Sequence, residues 1–154
     1  MKDSTNTIQY RPATGVDIAS LAGLLALLFA QEADFTPDAT KQECGLRLIL
    51  EQPEIGQLYC AVAGDAVVGM VSLLFTVSTA EGGRAALLED MVVHPDWRGQ
   101  GIGARLLSEA IQQARAAGCS RITLLTDAGN LAAQEFYGRA GFAKSAMVPL
   151  RLQL

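Results

Sequence analysis

The stretch Leu87 to Gly103, LLEDMVVHPDWRGQGIG, decides how this chain folds. It opens as a strand, because Leu87, Leu88, Met91, Val92 and Val93 are apolar and strand-compatible. Two carboxylates, Glu89 and Asp90, interrupt the apolar run. His94-Pro95-Asp96 ends it, since Pro95 has no N–H to donate to a ladder. Trp97 and Arg98 come next, then Gly99, Gln100, Gly101, Ile102 and Gly103, where an amphipathic helix begins. Glycines at a strand-to-helix turn let backbone N–H groups approach a ligand closely. A helix start leaves N–H groups unpaired and carries a partial positive charge. Together with Arg98 this reads as an anion site suited to phosphate.

Three readings compete for the glycines. A plain turn explains three alternating glycines after an arginine poorly. Gly99, Gly101 and Ala104 match the dinucleotide fingerprint G-x-G-x-x-A, but that fingerprint follows its strand directly, and here His94 to Arg98 intervene. A Walker loop is excluded, because no Lys-Ser or Lys-Thr follows. The third reading is a pyrophosphate loop: the order strand, loop, Arg98-x-x-Gly101-x-Gly103, helix resembles the signature of the GNAT superfamily of N-acetyltransferases.

Composition narrows the classes. A chain of 154 residues reads as one domain, 1–154, long enough for a full core. Half of it is apolar and 18% is charged, which fits a globular protein and argues against disorder. The net charge of −4 leaves no electrostatic footprint for nucleic acid and mildly favours cationic small substrates. Cys44, Cys60 and Cys119 are odd in number and widely spaced, as reduced cytoplasmic thiols are, with no disulfide or zinc pattern. One histidine rules out a multi-histidine metal site, so no metal is expected. Ile18 to Ala30 is nearly all apolar but shorter than the ~20 residues a membrane span needs, and it reads as a buried helix of a cytoplasmic protein.

In chain order, residues 1–6 are polar and expected to fray. Ile8 to Arg11 is a short strand, and Thr14-x-x-Asp17 resembles a capping box. The helix that follows has apolar residues on so much of its surface that it should be covered on more than one side. A polar break, Gln31 to Pro37, precedes a second helix to Leu50, for which Cys44, Leu48 and Ile49 are the expected apolar contacts. Leu58–Ala63 and Ala66–Val77 form a hairpin across Gly64-Asp65, with Gly69 a bulge or a point of close approach. Glu81-Gly82-Gly83 returns the chain into the strand at 87–93. After the glycine loop, a helix to Ala117 ends at Gly118, and Arg121 to Thr126 is a strand parallel to 87–93. Asn130 is a natural N-cap for a helix to Arg139 or Ala140, and Phe142 to Leu152 is expected to return as one strand or two. The pattern is mixed α/β, β-α-α-β-β-β-α-β-α-β.

The distal half strengthens the resemblance. Asn130-x-x-Ala133-x-x-Phe136-Tyr137-x-x-x-Gly141-Phe142 is similar to the fourth-helix motif of GNAT enzymes, and it follows the parallel strand as that fold requires. The element order matches over roughly residues 8–154. Glu89-Asp90, an apolar pair and Val93-His94-Pro95 are most similar to small-amine acetyltransferases, including the spermidine/spermine type. The resemblance implies an acyl-CoA N-acyltransferase fold with splayed central strands, acetyl-CoA as donor and a primary amine as acceptor. It is compatible with a homodimer. It implies that the pantetheine arm pairs with the backbone of Met91 and Val93, beside Val92. The pyrophosphate would rest on Arg98, Gly99, Gln100, Gly101, Ile102 and Gly103.

Amine acetylation needs a neutral amine, a donor for the oxyanion and a proton for the departing thiolate. Glu89 is the candidate base, since a carboxylate in an apolar strand tends toward a raised pKa. Asp90 is its rival; strand alternation puts the two on opposite faces unless a bulge intervenes. Tyr137 is the candidate general acid, against a reading as one more core aromatic beside Phe136. Asn130 caps its helix and is placed to contact the CoA arm as well. His94 is a turn residue before proline, and Trp97 packs under the loop. The acceptor site is expected between the loop after the first helix, the 70–78 strand and the C-terminal strands, where Glu32, Asp34 and Phe35 suit a cationic amine; a solvated acidic loop is the rival explanation. The other readings kept open are a protein N-terminal or lysine acetyltransferase, a non-catalytic acyl-CoA sensor, and remotely a dinucleotide-binding module.

Overall fold

A computed structural model describes residues 7–32, 34 and 36–154. Phe35 and the N-terminal six residues lie outside the described residues. Among the described residues five strands form one sheet in the order β1-β2-β3-β4-β5. They are β1 (Ile8–Pro12), β2 (Gly56–Ala63), β3 (Ala66–Ser78), β4 (Gly83–Val93) and β5 (Ile122–Leu124). The first four are antiparallel neighbours, and β5 lies parallel to β4. The helices are α1 (Ile18–Phe29), α2 (Ala39–Glu51), α3 (Ile102–Ala116) and α4 (Leu131–Arg139).

The two faces of the sheet carry two cores. On one, Leu21 and Leu25 of α1 and Leu46 of α2 pack with Cys60, Met70 and Val92. On the other, Leu106, Leu107 and Ala110 of α3 pack with Val71, Leu73 and Leu88. Alternation along β3 explains the division, since Met70 goes to one side and Val71 and Leu73 to the other. α1 packs against both α2 and the sheet, as its broad apolar surface requires. On α2 the expected contacts shift: Leu46 is the buried residue, whereas Cys44 is exposed and Leu48 is half exposed. Among the described residues no helix is long and apolar enough to cross a membrane.

Local signals place the ends. Asp17 accepts the Thr14 N–H at 2.7 Å and holds a fork from Arg11 at 2.8 and 2.9 Å, closing the turn that feeds α1. Gly69 is a point of close approach, because a Cβ there would stand 2.9 Å from Leu106 Cδ1. A register shift at Ala61/Val62 places a bulge beside it.

Two expected strands change. β5 pairs only from Ala86/Ile122 to Leu88/Leu124, shorter than 121–126, because β4 departs at a second register shift. Phe142 to Leu152 is no strand: residues 143–154 are irregular and exposed, with Val148, Leu150 and Leu152 at least 78% accessible. Their alternation reads locally as a strand, but they sit in no ladder that would satisfy the backbone. Arg151 instead holds Asp34 at 3.0 Å.

Candidate active site

β4 and β5 part company just after Leu88. Opposite β3, Val71 faces Met91 and Leu73 faces Leu88, so Ser72 alone stands against both Glu89 and Asp90. This bulge on β4 bends the strand where its pairing with β5 ends. The opening is a cleft of about 720 Å³ between the end of α1, β4, the glycine loop, the exit of β5 and α4.

His94 gives its N–H to the Val68 carbonyl at 2.8 Å. Alternate residues of an antiparallel ladder turn their backbone groups the same way. Val92 therefore faces β3, and Met91 and Val93 turn their N–H and C=O groups to the edge that β5 has left. The Val93 carbonyl already accepts the Arg98 Nε–H at 2.9 Å, which fixes Arg98 over the mouth of the cleft. The Val92 side chain is buried in the α1 core while its backbone borders the cleft.

The loop after β4 is shaped by glycine. Gly99 and Gly101 have φ of +74° and +78°, the left-handed region where a side chain is strained. Gly101 is the N-cap of α3, so the first N–H groups of that helix, from Ile102, Gly103 and Ala104, open on the cleft. Gly103 lies where a Cβ would touch the Phe136 ring at 3.5 Å. Gln100 is exposed and does not line the cleft, unlike its glycine neighbours. His94 accepts the Asp96 N–H on Nδ1 at 3.2 Å and serves the turn. Trp97 is half-buried against the α3 core and borders the cleft.

α4 contributes Asn130, Phe136 and Tyr137. Asn130 Oδ1 accepts the Ala133 N–H at 3.0 Å, the cap expected of it. Tyr137 is wedged edge-on between Phe136 and Phe142, at 5.1 and 5.7 Å between ring centroids. Burial, with help from the Glu32 charge, pushes its phenol up to about 12.

Carboxylates gather at the other end. Glu89 is exposed and lines the cleft, with Glu32 from the end of α1 and Asp127 after β5. Glu32 is raised above its ordinary value by burial, then by the charges of Asp127, Glu89 and Asp34. Asp90 does not line the cleft, because its carboxylate is turned to the Ser72 hydroxyl at 3.2 Å. Burial and the Glu89 charge push Asp90 up to about 6. Asp90, raised by burial, is thus averted, and Glu89 is the carboxylate of the pair that lines the cleft. The bulge also overturns simple alternation, since Leu88 packs in the α3 core and Val92, four residues on, in the α1 core.

Leu125, Thr126 and Asp127, Leu28 and Gln31, and Arg139 also line the cleft. Sequence reasoning passed over them, although ligands of α/β sheets bind outside the carboxyl ends of parallel strands, which points to 125–127. Neither the 70–78 strand nor residues 143–154 line the cleft.

Residues 24–142 match the acetyltransferase (GNAT) family. An aminoalkylphosphonate N-acetyltransferase of Salmonella typhimurium is 31% identical over 144 residues, 94% of this chain and 90% of that protein. An uncharacterised N-acetyltransferase of Methanocaldococcus jannaschii is 32% identical over 100 residues; the match takes in 65% of this chain and 44%, less than half, of that relative. The crystal structure of an integron cassette protein from the mobile metagenome of the Cole Harbour salt marsh is 27% identical. It superposes with a TM-score of 0.82, covering 95% of this chain and 90% of that one.

Proposed function

The chain belongs to the GNAT family of acetyltransferases, and from that premise we propose that it moves an acetyl group from acetyl-CoA to the primary amine of a small molecule. One observation carries this reading: the division of charge along the cleft. Arg98 and the open N-terminus of α3 stand at one end, and Glu32, Glu89 and Asp127 at the other. The first suits a pyrophosphate, the second an ammonium group. The free edge at Met91 and Val93 between them suits the amides of a pantetheine arm, read as a missing strand. The small-molecule acceptor is supported by the Salmonella relative, whose name specifies an aminoalkylphosphonate, and by the strand Glu89-Asp90 to Val93-His94-Pro95.

An alkylammonium with a pKa of about 10 has no free lone pair at neutral pH. Glu89, reached directly or through a water, first takes one proton from the ammonium, and the neutral amine then forms its C–N bond to the thioester carbon. As the adduct collapses the C–S bond breaks with its electron pair leaving on sulfur, and the second proton lost by the nitrogen balances the one the thiolate gains in becoming the CoA thiol. Geometry ranks ahead of pKa in choosing a base, so the cleft-lining Glu89 is preferred to the averted Asp90. Tyr137 keeps its proton at any physiological pH and offers it to the sulfur. With the phenol near 12 and a thiol near ~8.5, complete transfer in the resting environment is uphill by about 5 kcal/mol. Tyr137 therefore acts first as a hydrogen-bond donor to the thiolate.

Calorimetry with acetyl-CoA, followed by turnover of an amine panel read as free CoA thiol, tests the proposal. The expected result is binding by the wild type, with Glu89→Gln and Tyr137→Phe each binding acetyl-CoA normally and losing roughly 100-fold or more in kcat. No binding of acetyl-CoA would refute the site, and wild-type turnover in Glu89→Gln would refute the base.

A further inference from the structure

Ser72 is fully buried in the middle of β3, and the acetyl-transfer scheme assigns it nothing. It stands alone opposite Glu89 and Asp90, at the point where β4 has one residue more than its partner. An extra residue in one strand leaves backbone groups without a ladder partner. Here Ser72 Oγ supplies one: it accepts the Asp90 N–H at 3.0 Å and donates to Asp90 Oδ2 at 3.2 Å. Among short side chains a hydroxyl offers donor and acceptor from a single atom. No surface is open at Ser72 for water to take its place.

We propose that Ser72 is a positioning residue for acetyl transfer, whose hydroxyl closes the β4 bulge and thereby holds Glu89 in the cleft where β4 parts from β5. The proposal rests on the reading of Glu89 as base. Its physical content is placement. Glu89 and Asp90 are the two bulge residues, and the two bonds between Ser72 and Asp90 fix that bulge in place. Without them the 89–90 segment relaxes, and the Glu89 carboxylate shifts by about 1 Å from its place in the cleft beside Glu32 and Asp127. Ser72 also settles which carboxyl is averted, since it ties down that of Asp90. The charged groups acting on Asp90 there are Glu89 on the same strand and Glu32 from the end of α1.

The test is a double-mutant cycle on the full chain with an amine that turns over. Ser72→Ala is expected to lower kcat by roughly 10- to 100-fold, the cost of misplacing a catalytic group by about 1 Å. The acetyl-CoA Kd should move by less than about threefold, because Arg98 and the glycine loop are untouched. In the Glu89→Gln background Ser72→Ala should add no further loss, since it acts through Glu89. Multiplying losses, or a Ser72→Ala that lowers Tm and leaves kcat unchanged, overturn the proposal while leaving Glu89 as base. A Glu89→Gln with wild-type kcat removes the base and this inference with it. Should Ser72→Ala fail to fold, Ser72→Cys, of similar size but a weak donor and acceptor, replaces it and should lose less kcat; an unchanged kcat there also overturns the proposal.

Discussion

Replacing Asp90 with asparagine should stabilise this protein at neutral pH. The ordinary value for an aspartate is 3.8, and in the folded chain Asp90 stands near 6, raised first by burial and then by the Glu89 charge. Below pH 4 the carboxyl is protonated whether the chain is folded or not. Between pH 4 and 6 the folded state keeps a proton that the unfolded state releases. Above pH 6 both are ionised, and the folded state holds a charge in poor solvation. The contribution of Asp90 to stability is therefore complete below its unfolded pKa and lost as pH rises through the folded value. A difference of about two units corresponds to about 3 kcal/mol. Asp90→Asn removes the titration, keeps the backbone N–H bond to Ser72, and leaves an amide oxygen to accept the Ser72 hydroxyl. Urea unfolding of both proteins at intervals from pH 4 to 8 measures the effect. The stability difference, variant minus wild type, should grow from its pH 4 value by about 3 kcal/mol at pH 8. A pH-independent difference, or one that grows in favour of the wild type, refutes the assignment of the raised carboxyl to Asp90. The same variant should keep kcat within a few-fold, in contrast to Glu89→Gln, because Asp90 does not reach the cleft.

The other outcomes can be checked with the same protein. Asp17→Asn should cost about 2 kcal/mol at pH 7, because the Arg11 guanidinium holds Asp17 down to about 2; that advantage exists above pH 4 and disappears as pH falls through 2, in the same urea series. Gly101→Val forces a β-branched residue to a φ of +78°, worth about 1–2 kcal/mol of strain, and should raise the acetyl-CoA Kd by roughly 10-fold by calorimetry as the loop rearranges. Leu106→Ala, at a fully buried position of α3, should lower stability by about 2–5 kcal/mol in urea while leaving the folded protein's binding of acetyl-CoA intact.

Much of the architecture was legible because it depends on neighbours in the chain. The apolar stripe of α3 follows a helical period, so its burial on the sheet could be read directly. Asn130 caps α4 through the Ala133 N–H three residues on, an interaction that spacing alone specifies. Gly99 and Gly101 marked the turn from strand to helix, and both hold positive φ there. Local pattern misled in two places. Phe142 to Leu152 read as one strand or two, yet a strand exists only where another strand satisfies its backbone. On α2, of the expected contacts Cys44, Leu48 and Ile49 only Ile49 packs on the core, because the helix turns Leu46 inward instead.

The sequence by itself determined the order of elements, the glycine loop with its arginine, the cap on α4 and the pair of carboxylates from which a base could come. The tertiary structure alone decided which carboxylate enters the cleft. That choice turns on Ser72, 18 residues away in the chain, whose hydroxyl closes the bulge and draws Asp90 aside. It likewise assembled the acidic end of the cleft from Glu32, Glu89 and Asp127 on three separate elements. Charges this far apart in sequence share no period, and they are brought together only when helix and strand ends converge over the gap that β4 and β5 leave open.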